Sequence, residues 1–292
     1  NDCLVPGGPI FEIAERLDGV VPLIVSGHTH SAYVCEQDGV MVTSAASSGR
    51  FLTEIDIQFD RSTASIADIT AENVEITDSL PADPKVAAIV DAYDALIAPV
   101  RDAVVGTITA DFLRATDFSG ESPAGGLVAD AMLAGTASAG AQVALMNTGG
   151  IRASFNFARF EPETEDGQVT FGECFQVQPF GNSVSTVSIT GAQLVAILDT
   201  WVDEPGPLQV GGLSYAWSAS GAPGARVVAD DVTVGGAPLV PTEVYRVTVN
   251  SIVGDPDLSP PIAGATDIVG AGVDVDLLVA YFKSASPLTP NT

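Results

Sequence analysis

The order of hydrophobic and polar positions divides the chain into two stretches of mixed secondary structure with a helix between them. Residues 9–18 repeat hydrophobic positions at helical spacing, and the apolar segment 21–25 that follows predicts a short strand. Residues 51–60 alternate hydrophobic and polar side chains, which is typical of a half-buried strand, and a β pattern continues to about residue 77.

The Pro- and Asp-rich segment DSLPADPK, which begins at residue 78, interrupts this pattern. Pro99 is expected to kink or end the helix that follows. That helix is predicted because hydrophobic positions recur at helical spacing, at Val86, Ile89, Val90, Tyr93, Ile97 and Val100. A polar break followed by a lone helix is typical of a domain boundary. We therefore predict a first domain over residues 1–77, a linker helix over 78–104 and a second domain over 105–285.

The second domain mixes strands and helices without strict βαβ alternation, so the predicted fold class is α+β. Thr190 is a natural N-cap for one of its helices. Residues 170–189 are predicted to hold a turn and a strand, and the Gly-, Pro- and Asp-rich residues 254–272 to form a loop. The other predicted elements are strands over 103–112, 141–147, 213–220, 225–234 and 243–250 and helices over 125–138, 190–202 and 273–282.

Acidic residues outnumber basic residues by 37 to 11, which gives a formal net charge of −26 at pH 7. Such a field repels nucleic acid polymers and anionic membranes, so neither is an expected partner. One well-placed arginine can still bind a small phosphorylated ligand locally. Hydrophobic residues make up 46% of the chain, which is enough to build a core.

The longest uncharged run, Ala131–Ile151, does not predict a transmembrane span, because it consists largely of Ala, Gly, Ser and Thr. The opening residues NDCLVPGGPIF have neither the basic nor the apolar region of a signal peptide. Because Asn1 is also not an initiator methionine, the sequence is expected to be a processed or excised segment.

The cysteines, Cys3, Cys35 and Cys174, include no C-x-x-C pair and so predict no zinc site by themselves. Cys3 and Cys35 flank one short helix–strand unit and could close a disulfide, which would suit an exported protein. Three unrelated buried thiols are the alternative, and spacing alone does not separate the two.

The segment VSGHTHSAY, residues 25–33, contains both histidines of the chain, His28 and His30. It follows a predicted strand, Gly27 permits a tight turn, and alternate side chains on such a loop can converge on metal ions. A pair of structural or surface histidines is the alternative. Two imidazoles do not hold a divalent metal alone, since catalytic metal sites usually need three protein ligands.

Two loop segments offer groups that suit a phosphorylated ligand. NTGGIRASF follows an apolar strand, and its glycines allow a close backbone approach while its guanidinium can bind phosphate or carboxylate. QPFGN supplies an aromatic face beside an amide, which can stack on a base or sugar. Taken singly, each segment could equally be a simple turn with a solvated arginine or a loop with a core phenylalanine. The candidate binding residues are Asn147, Gly149, Gly150, Arg152, Phe180 and Asn182.

The strand and Gly-His-Thr-His of VSGHTHSAY resemble the last metal-binding loop of the calcineurin-like metallophosphoesterases. The resemblance implies that His28 binds one ion and His30 the other ion of a two-metal centre, with Zn²⁺, Mn²⁺ or a similar divalent cation. The family's Asp-x-His, Gly-Asp and Gly-Asn-His segments, which carry the other ligands and the catalytic histidine, lie N-terminal to this loop in the family, and none of them precedes His28 in this sequence. No catalytic residue is therefore assigned, and the metal ions are not expected to be fully bound by these residues alone.

Asn-x-Gly-Gly-Ile-Arg and Pro-Phe-Gly-Asn, in this order, resemble the C-terminal domain of 5'-nucleotidases, as do TGAQLVAIL and YRVTVN. The resemblance covers nearly the whole chain. It implies the C-terminal end of a metallophosphoesterase β-sandwich domain, a linker helix and a mixed α/β nucleotide-binding domain. It also implies that Asn147 and Arg152 contact the phosphate and ribose, and that Phe180 stacks on the base with Asn182 beside it.

The chain departs from the family pattern at two places. SGESPAGGL has no basic residue before the predicted helix, although Arg114 lies upstream. In NSIVGDPDLSPP, Ser251 stands where the family has a second stacking ring, and Asp255 or Asp257 stands near the position of a family acid. Sandwiching of the base between two rings is therefore not expected, and the base preference can differ.

The resemblance implies the substrate-binding portion of a secreted, metal-dependent 5'-nucleotidase, in which metal-bound water attacks the phosphorus and the substrate domain swings about the linker helix. The alternatives are a related phosphodiesterase, nucleotide-sugar hydrolase or nuclease component, and a nucleotide-binding surface module without turnover. A nucleotide is the expected partner. An extracellular, cell-surface or periplasmic location is expected, with Cys3 bonded to Cys35 and Cys174 free.

Overall fold

The computed structural model describes residues 8–203 and 206–290, and these residues form two compact units that divide between Asp91 and Ala92. The division lies inside a helix, Pro84–Arg101, within the stretch predicted as a linker. The limits of the two predicted domains stay predictions.

The first unit begins with a helix and three strands, α1 (Pro9–Arg16), β1 (Leu23–Val25), β2 (Ala32–Gln37) and β3 (Val40–Ala45). The strands form one sheet in the order β1-β3-β2, with β1 parallel and β2 antiparallel to β3. One face of α1 packs on this sheet, and the small core between them contains Ala14, Val40 and Val42.

A long hairpin of β4 (Phe51–Asp60) and β5 (Ser65–Glu75) completes the first unit. Side chains of β4 alternate between half-buried and exposed from Phe51 to Ile55, so the predicted strand is confirmed. The register sets Ile57 opposite Ile69 on one face, and Ile57 is 49% exposed.

A helix, α2 (Pro84–Arg101), forms within the segment 78–104 that was predicted as a linker helix, and its role as a linker stays a prediction. It continues past Pro99 and ends two residues later, at Arg101. The helix ends within one turn of the proline, which lacks the backbone N–H that a helix interior requires. None of its residues is buried. Within residues 8–203 and 206–290, no helix combines the length and the apolar character that crossing a lipid bilayer requires.

The described cysteines differ in state. Cys35, on β2, is disulfide-bonded, whereas Cys174 is a free thiol in the core of the second unit. Burial, with the nearby Glu173 carboxylate, raises the pKa of the Cys174 thiol, so this thiol stays protonated. Cys3 lies outside the described residues, so its pairing with Cys35 stays a prediction.

The second unit is organised by a five-stranded sheet. Its elements are β6 (Val104–Thr107), α3 (Pro123–Gly135), β7 (Val143–Met146), β8 (Gln168–Thr170), α4 (Phe171–Val177), β9 (Ser183–Thr190), α5 (Gly191–Asp203), β10 (Gln209–Gly211), β11 (Leu213–Ser214), β12 (Thr233–Val234), β13 (Ala237–Pro238), β14 (Val244–Asn250), β15 (Thr266–Val273) and α6 (Asp274–Ala285). The main sheet has the order β10-β7-β14-β9-β15, and β7 and β14 are its parallel pair. This mixture confirms the predicted α+β class.

Side chains of the central strand β7 point alternately into two cores. Ala144 and Met146 join the core that contains residues of α3 and α6, and Val143 and Leu145 join the core that contains residues of α5. Because successive strand residues face opposite sides, the sheet lies between these two cores. All four residues of β7 are buried. The NTGGIR loop therefore starts from a strand whose position is held by packing on both faces.

Helix α5 begins where its sequence predicts. The Thr190 hydroxyl accepts a hydrogen bond from the Gln193 N–H at 3.2 Å, and the Gln193 side chain accepts one from the Thr190 N–H at 2.9 Å. This reciprocal cap satisfies two backbone N–H groups that the first helical turn leaves without partners. The predicted cap is therefore confirmed.

Two predictions in the second unit are only partly right: the strand predicted within residues 170–189 forms as β9 but a helix precedes it, and the predicted loop 254–272 ends in a strand. Residues 171–177 of the segment predicted as turn and strand form helix α4, which a capping box stabilises. Residues 266–273 of the predicted loop 254–272 form strand β15, whose register on β9 is interrupted twice. Glycines in β15 weaken its strand signal, although the backbone still pairs with β9.

The predicted strands over 213–220 and 225–234 are also largely wrong. Only the two-residue strands β11 and β12 form there, in a small sheet with β13. Arg226 and Val227 donate their backbone N–H groups to the Asp199 carboxylate at 2.8 and 2.7 Å. These backbone groups are thus satisfied by a side chain rather than by a strand partner.

Candidate functional site

The NTGGIR loop leaves the buried end of β7 as one tight 3₁₀ turn, Thr148–Gly150. The Gly150 N–H donates to the Asn147 carbonyl at 2.9 Å, which closes the turn. A Cβ atom at Gly150 would lie 2.3 Å from the terminal methyl group of Met146 and 3.1 Å from the Asn147 side-chain oxygen, so a larger residue would require these side chains to shift. The turn leaves Gly149 exposed.

The next residue of chemical interest, Arg152, meets the loop that carries Phe180. Its backbone N–H donates to the Val177 carbonyl at 2.9 Å, and one guanidinium nitrogen donates to the Gly149 carbonyl at 3.0 Å. The guanidinium carbon lies 5.7 Å from the centre of the Phe180 ring, a cation–π distance. The two predicted loops thus form one surface with a cation beside an aromatic ring.

Phe180 lies three residues after the end of helix α4, which positions its loop. The buried carboxylate of Glu173 accepts from the Thr170 N–H at 2.7 Å at the start of α4. Burial and the neighbouring Glu163 carboxylate raise the pKa of Glu173 to about 7. After the helix, Gly181 has φ 64°, and this left-handed conformation turns the chain sharply between Phe180 and its neighbours.

Asn147 lies mostly inside the protein, at 9% exposure. Its side-chain oxygen accepts a hydrogen bond from the Asn250 amide at 2.8 Å, and the Asn250 oxygen accepts from the Val253 N–H at 2.9 Å. Asn250 ends β14, the neighbour of β7. The amide of Asn147 therefore links the NTGGIR loop to the end of the next strand.

Asn182 is held between two polar side chains. Its side-chain nitrogen donates to the Asp274 carboxylate at 3.1 Å, and its side-chain oxygen accepts from the Ser251 hydroxyl at 3.3 Å. Burial raises the pKa of Asp274, which is 1% exposed. Asp255 instead accepts the N–H of Asp257 at 2.9 Å in its own turn. Thus Asp274 is the acid that contacts the PFGN loop.

A groove of about 370 Å³ opens beside Ser251. Its lining combines hydroxyl and amide groups with aliphatic side chains, among them Ser183, Asn250, Ser251, Ile262 and Ile268. Such a mixture is typical of small-molecule sites, in which apolar walls carry a few polar groups.

Arg114 supports the NTGGIR loop from another direction. Its guanidinium donates to the Ile151 carbonyl at 2.7 Å, and its backbone N–H donates to the Ser154 hydroxyl at 2.9 Å. A second arginine therefore contacts the segment that carries Arg152, although the helix α3 itself brings no basic residue. Both cations lower the local negative potential of a strongly acidic chain.

His28 and His30 lie on an exposed loop of the first unit, and both have left-handed backbones, with φ 71° and 58°. Across residues 8–203 and 206–290, no group of three or more His, Cys, Asp or Glu side chains could hold a metal ion. Two imidazoles are too few for a catalytic metal centre. The described residues therefore do not form a complete metal site, and no reaction step is assigned to one.

Three residues of the site were not predicted: Asn250, Asp274 and, as a hydrogen-bonding group, Ser251. Asn250 ends a predicted strand and Ser251 follows it, and polar side chains at such a strand end often line a site. Asp274 was predicted only as part of a helix, and its first-turn position is a usual place for an acidic residue. Nothing local to Asp274 indicates its contact with a loop 92 residues away.

Comparison with known proteins identifies the family to which the second unit is similar. A sequence profile described as "5'-nucleotidase, C-terminal domain" matches residues 104–255, slightly more than half of the chain. The match contains the NTGGIR and QPFGN loops and ends after Asn250 and Ser251. Asp274 lies beyond it.

Individual relatives extend over most of the chain. Endonuclease YhcR of Bacillus subtilis is 27% identical over 95% of this chain and 22% of its own length. Cell wall protein Lmo0130 of Listeria monocytogenes is 24% identical over 92% of this chain and 36% of its own length. The crystal structure of a 5'-nucleotidase precursor from Thermus thermophilus superposes with a TM-score of 0.74 and 26% identity, over 97% of this chain and 61% of that one. The chain thus spans less than two thirds of each.

Proposed function

The chain belongs to the family of 5'-nucleotidase C-terminal domains, and on that premise we propose that its second unit binds a nucleoside phosphate. Arg152 binds the phosphate and Phe180 stacks on the base. The observation that carries this proposal is the position of the Arg152 guanidinium 5.7 Å from the Phe180 ring centre. A nucleoside phosphate holds its anionic group and its flat aromatic base one ribose apart, so it can contact both.

The ring and the cation are suited to these roles by exposure and charge. Phe180 is 58% exposed, so much of its surface is open to a stacked base even with the guanidinium nearby. Base–aromatic stacking contributes about 1–3 kcal/mol to binding. Because the chain carries a net charge of −26, a phosphate can approach only where a cation reverses the local potential.

The parent activity we propose is hydrolysis of nucleoside phosphates, with this chain as the substrate-binding portion of a longer hydrolase. The chain's 22% to 61% share of its relatives' lengths supports this interpretation. His28 and His30 would supply two imidazole ligands to divalent cations, and the other ligands would come from elsewhere in the longer protein. Such cations would stabilise charge on the phosphoryl group when bound.

We also propose that the parent protein is exported, to the extracellular space, the cell surface or the periplasm. The disulfide at Cys35 supports this, because disulfides persist mainly in oxidising compartments. The similarity to a protein named for the cell wall points in the same direction.

A second candidate is phosphodiester cleavage by the parent, with this site holding a terminal nucleotide. The similarity to a protein named endonuclease, over 95% of this chain, favours it. The strongly negative net charge opposes contact with more than one or two nucleotides. Competition between AMP and a short oligonucleotide for the chain distinguishes the two candidates.

The proposed stack is tested with Phe180→Ala. Both AMP and adenosine are expected to bind this variant roughly five- to a hundredfold more weakly, since both lose the same base–aromatic contact. Calorimetric titration of the 292-residue chain with each ligand gives the two affinities.

Phe118→Ala is the matched control. Phe118 is 98% exposed in the same unit, and the substitution removes the same phenyl ring. This variant is expected to bind both ligands like the unaltered chain. If Phe180→Ala leaves adenosine binding unchanged, Phe180 does not hold the base. If the unaltered chain binds neither ligand, the nucleotide proposal itself is wrong.

A further inference from the structure

We propose that Asp274 is a positioning residue that fixes the Asn182 amide with its oxygen toward Ser251, so that the site selects bases carrying a hydrogen-bond donor. This inference rests on the proposed nucleotide site. It concerns which edge of the base the site accepts, and it assigns a role to an acid that lies beyond residues 104–255, the segment that matches the family profile.

The carboxylate of Asp274 is fully committed to accepting hydrogen bonds. One oxygen accepts from the Asn182 side-chain nitrogen at 3.1 Å, and the other accepts from the Val275 N–H at 2.8 Å. The Asp274 N–H also donates to the Asn182 carbonyl at 3.0 Å. A carboxylate that accepts through both oxygens can face only the nitrogen of an amide, so the orientation of the Asn182 side chain is determined.

The oxygen of the same amide is paired with a residue that lines the groove. The Asn182 oxygen accepts from the Ser251 hydroxyl at 3.3 Å, and Ser251 lines the groove of about 370 Å³. The hydroxyl proton of Ser251 is therefore directed at Asn182. What remains for a ligand is a second lone pair on the Asn182 oxygen and the lone pairs of the Ser251 oxygen, and all of these are acceptors.

Asn182 follows Phe180 by two residues in the same turn, so we expect the edge of a base stacked on Phe180 to reach the Asn182–Ser251 pair. An exocyclic amino group, as in adenine or cytosine, can donate to these acceptors. A base without a donor at that edge leaves them unsatisfied once water is displaced, which weakens binding. The geometry therefore favours amino-bearing bases.

The test compares AMP with purine riboside 5'-monophosphate, which differs only by lacking the amino group. The unaltered chain is expected to bind AMP about three- to tenfold more tightly, as one neutral hydrogen bond allows. In Asp274→Asn the new side-chain amide can donate or accept a hydrogen bond. The Asn182 side chain can then adopt either of its two flipped orientations. The ratio of the affinities for AMP and purine riboside 5'-monophosphate is then expected to fall to nearly one.

Asp276→Asn is the matched control, since Asp276 is exposed in the same first turn of α6 and the charge change is identical. It is expected to retain the full preference for AMP. Equal preferences in Asp274→Asn and the unaltered chain would overturn the inference, and so would an equal loss in Asp276→Asn.

A measurement without nucleotide separates this inference from the proposed function. In NMR spectra of the ligand-free chain, the side-chain amide protons of Asn182 are expected to exchange with water several-fold more slowly than those of the exposed Asn156. Asn182→Asp identifies the signals. Exchange as fast as at Asn156 would overturn the positioning role. If the unaltered chain binds neither nucleotide, the donor selection falls with the proposed function, while the amide exchange still decides the positioning.

Discussion

Arg152→Ala is expected to bind AMP roughly ten- to a hundredfold more weakly than the unaltered chain, while adenosine binding stays nearly unchanged. A hydrogen bond to a charged group contributes about 1.5–3 kcal/mol, and AMP and adenosine differ only in the phosphate. The chain's net charge of −26 enlarges the effect, because without Arg152 the phosphate faces uncompensated carboxylates. Calorimetric titration of both ligands measures the difference.

Arg159→Ala is the control for this loss of one positive charge. Arg159 lies on an exposed loop of the same unit, where its guanidinium donates to the Thr164 carbonyl at 2.9 Å. Its removal changes the net charge equally and is expected to leave AMP binding almost unaltered. The phosphate assignment is wrong if Arg152→Ala weakens adenosine as much as AMP, or if Arg159→Ala weakens AMP to the same degree.

The 292-residue chain by itself is expected to show no measurable hydrolysis of AMP when Mn²⁺, Zn²⁺ or Co²⁺ is added. The reason is that the described residues contain no group of three or more side chains able to hold a metal ion. Release of inorganic phosphate measures the rate. Turnover within about tenfold of the typical enzyme value, on the order of 10 s⁻¹, would contradict this expectation.

A matched variant guards this assay against contaminating phosphatases. His28→Ala in combination with His30→Ala removes the two imidazoles that the described loop offers a metal. Any residual phosphate release is expected to be equal in this variant and in the unaltered chain. A rate that falls when the histidines are replaced would mean that this chain does assemble a working metal site.

Elements with strong local signals could be predicted from the sequence. Helix α5 carries a Thr190 cap and a clear hydrophobic face, and the burial of strand β4 follows its sequence alternation from Phe51 to Ile55. In such segments the periodicity reports directly which side faces the core, so local pattern and tertiary packing agree.

Helix α4 and strand β15, which were not predicted, have weaker signals in the sequence. Helix α4 has only seven residues, and its stability comes from a buried capping box of Thr170 and Glu173, a Thr-x-x-Glu signal that the sequence does contain. Strand β15 has glycines and two register interruptions, and it forms because β9 offers an open edge. Its hydrophobic pattern alone does not favour a strand.

The candidate site likewise combines features that the sequence predicts with contacts that it does not. The residue types and their loops were predicted, because glycines, Asn147, Arg152 and Phe180 follow recognisable elements. Their approach to one another was implied only by the family resemblance, since the Arg152 segment meets the Phe180 loop through the end of α4 and no spacing along the chain indicates this. The contact of Asp274 with Asn182 requires α6 to return to a loop 92 residues earlier, and no spacing along the chain encodes that distance.

The central claim is that the Arg152–Phe180 surface binds the base and phosphate of one nucleotide. Intermolecular NOEs between AMP and a chain with labelled phenylalanine rings test it most directly, with Phe180→Leu used to identify the ring signals. NOEs from the adenine H2 or H8 protons to the Phe180 ring are expected at saturating AMP, and they are expected to be absent in Phe180→Leu. NOEs from the adenine to other phenylalanine rings only, with Phe180 silent in the saturated complex, would contradict it.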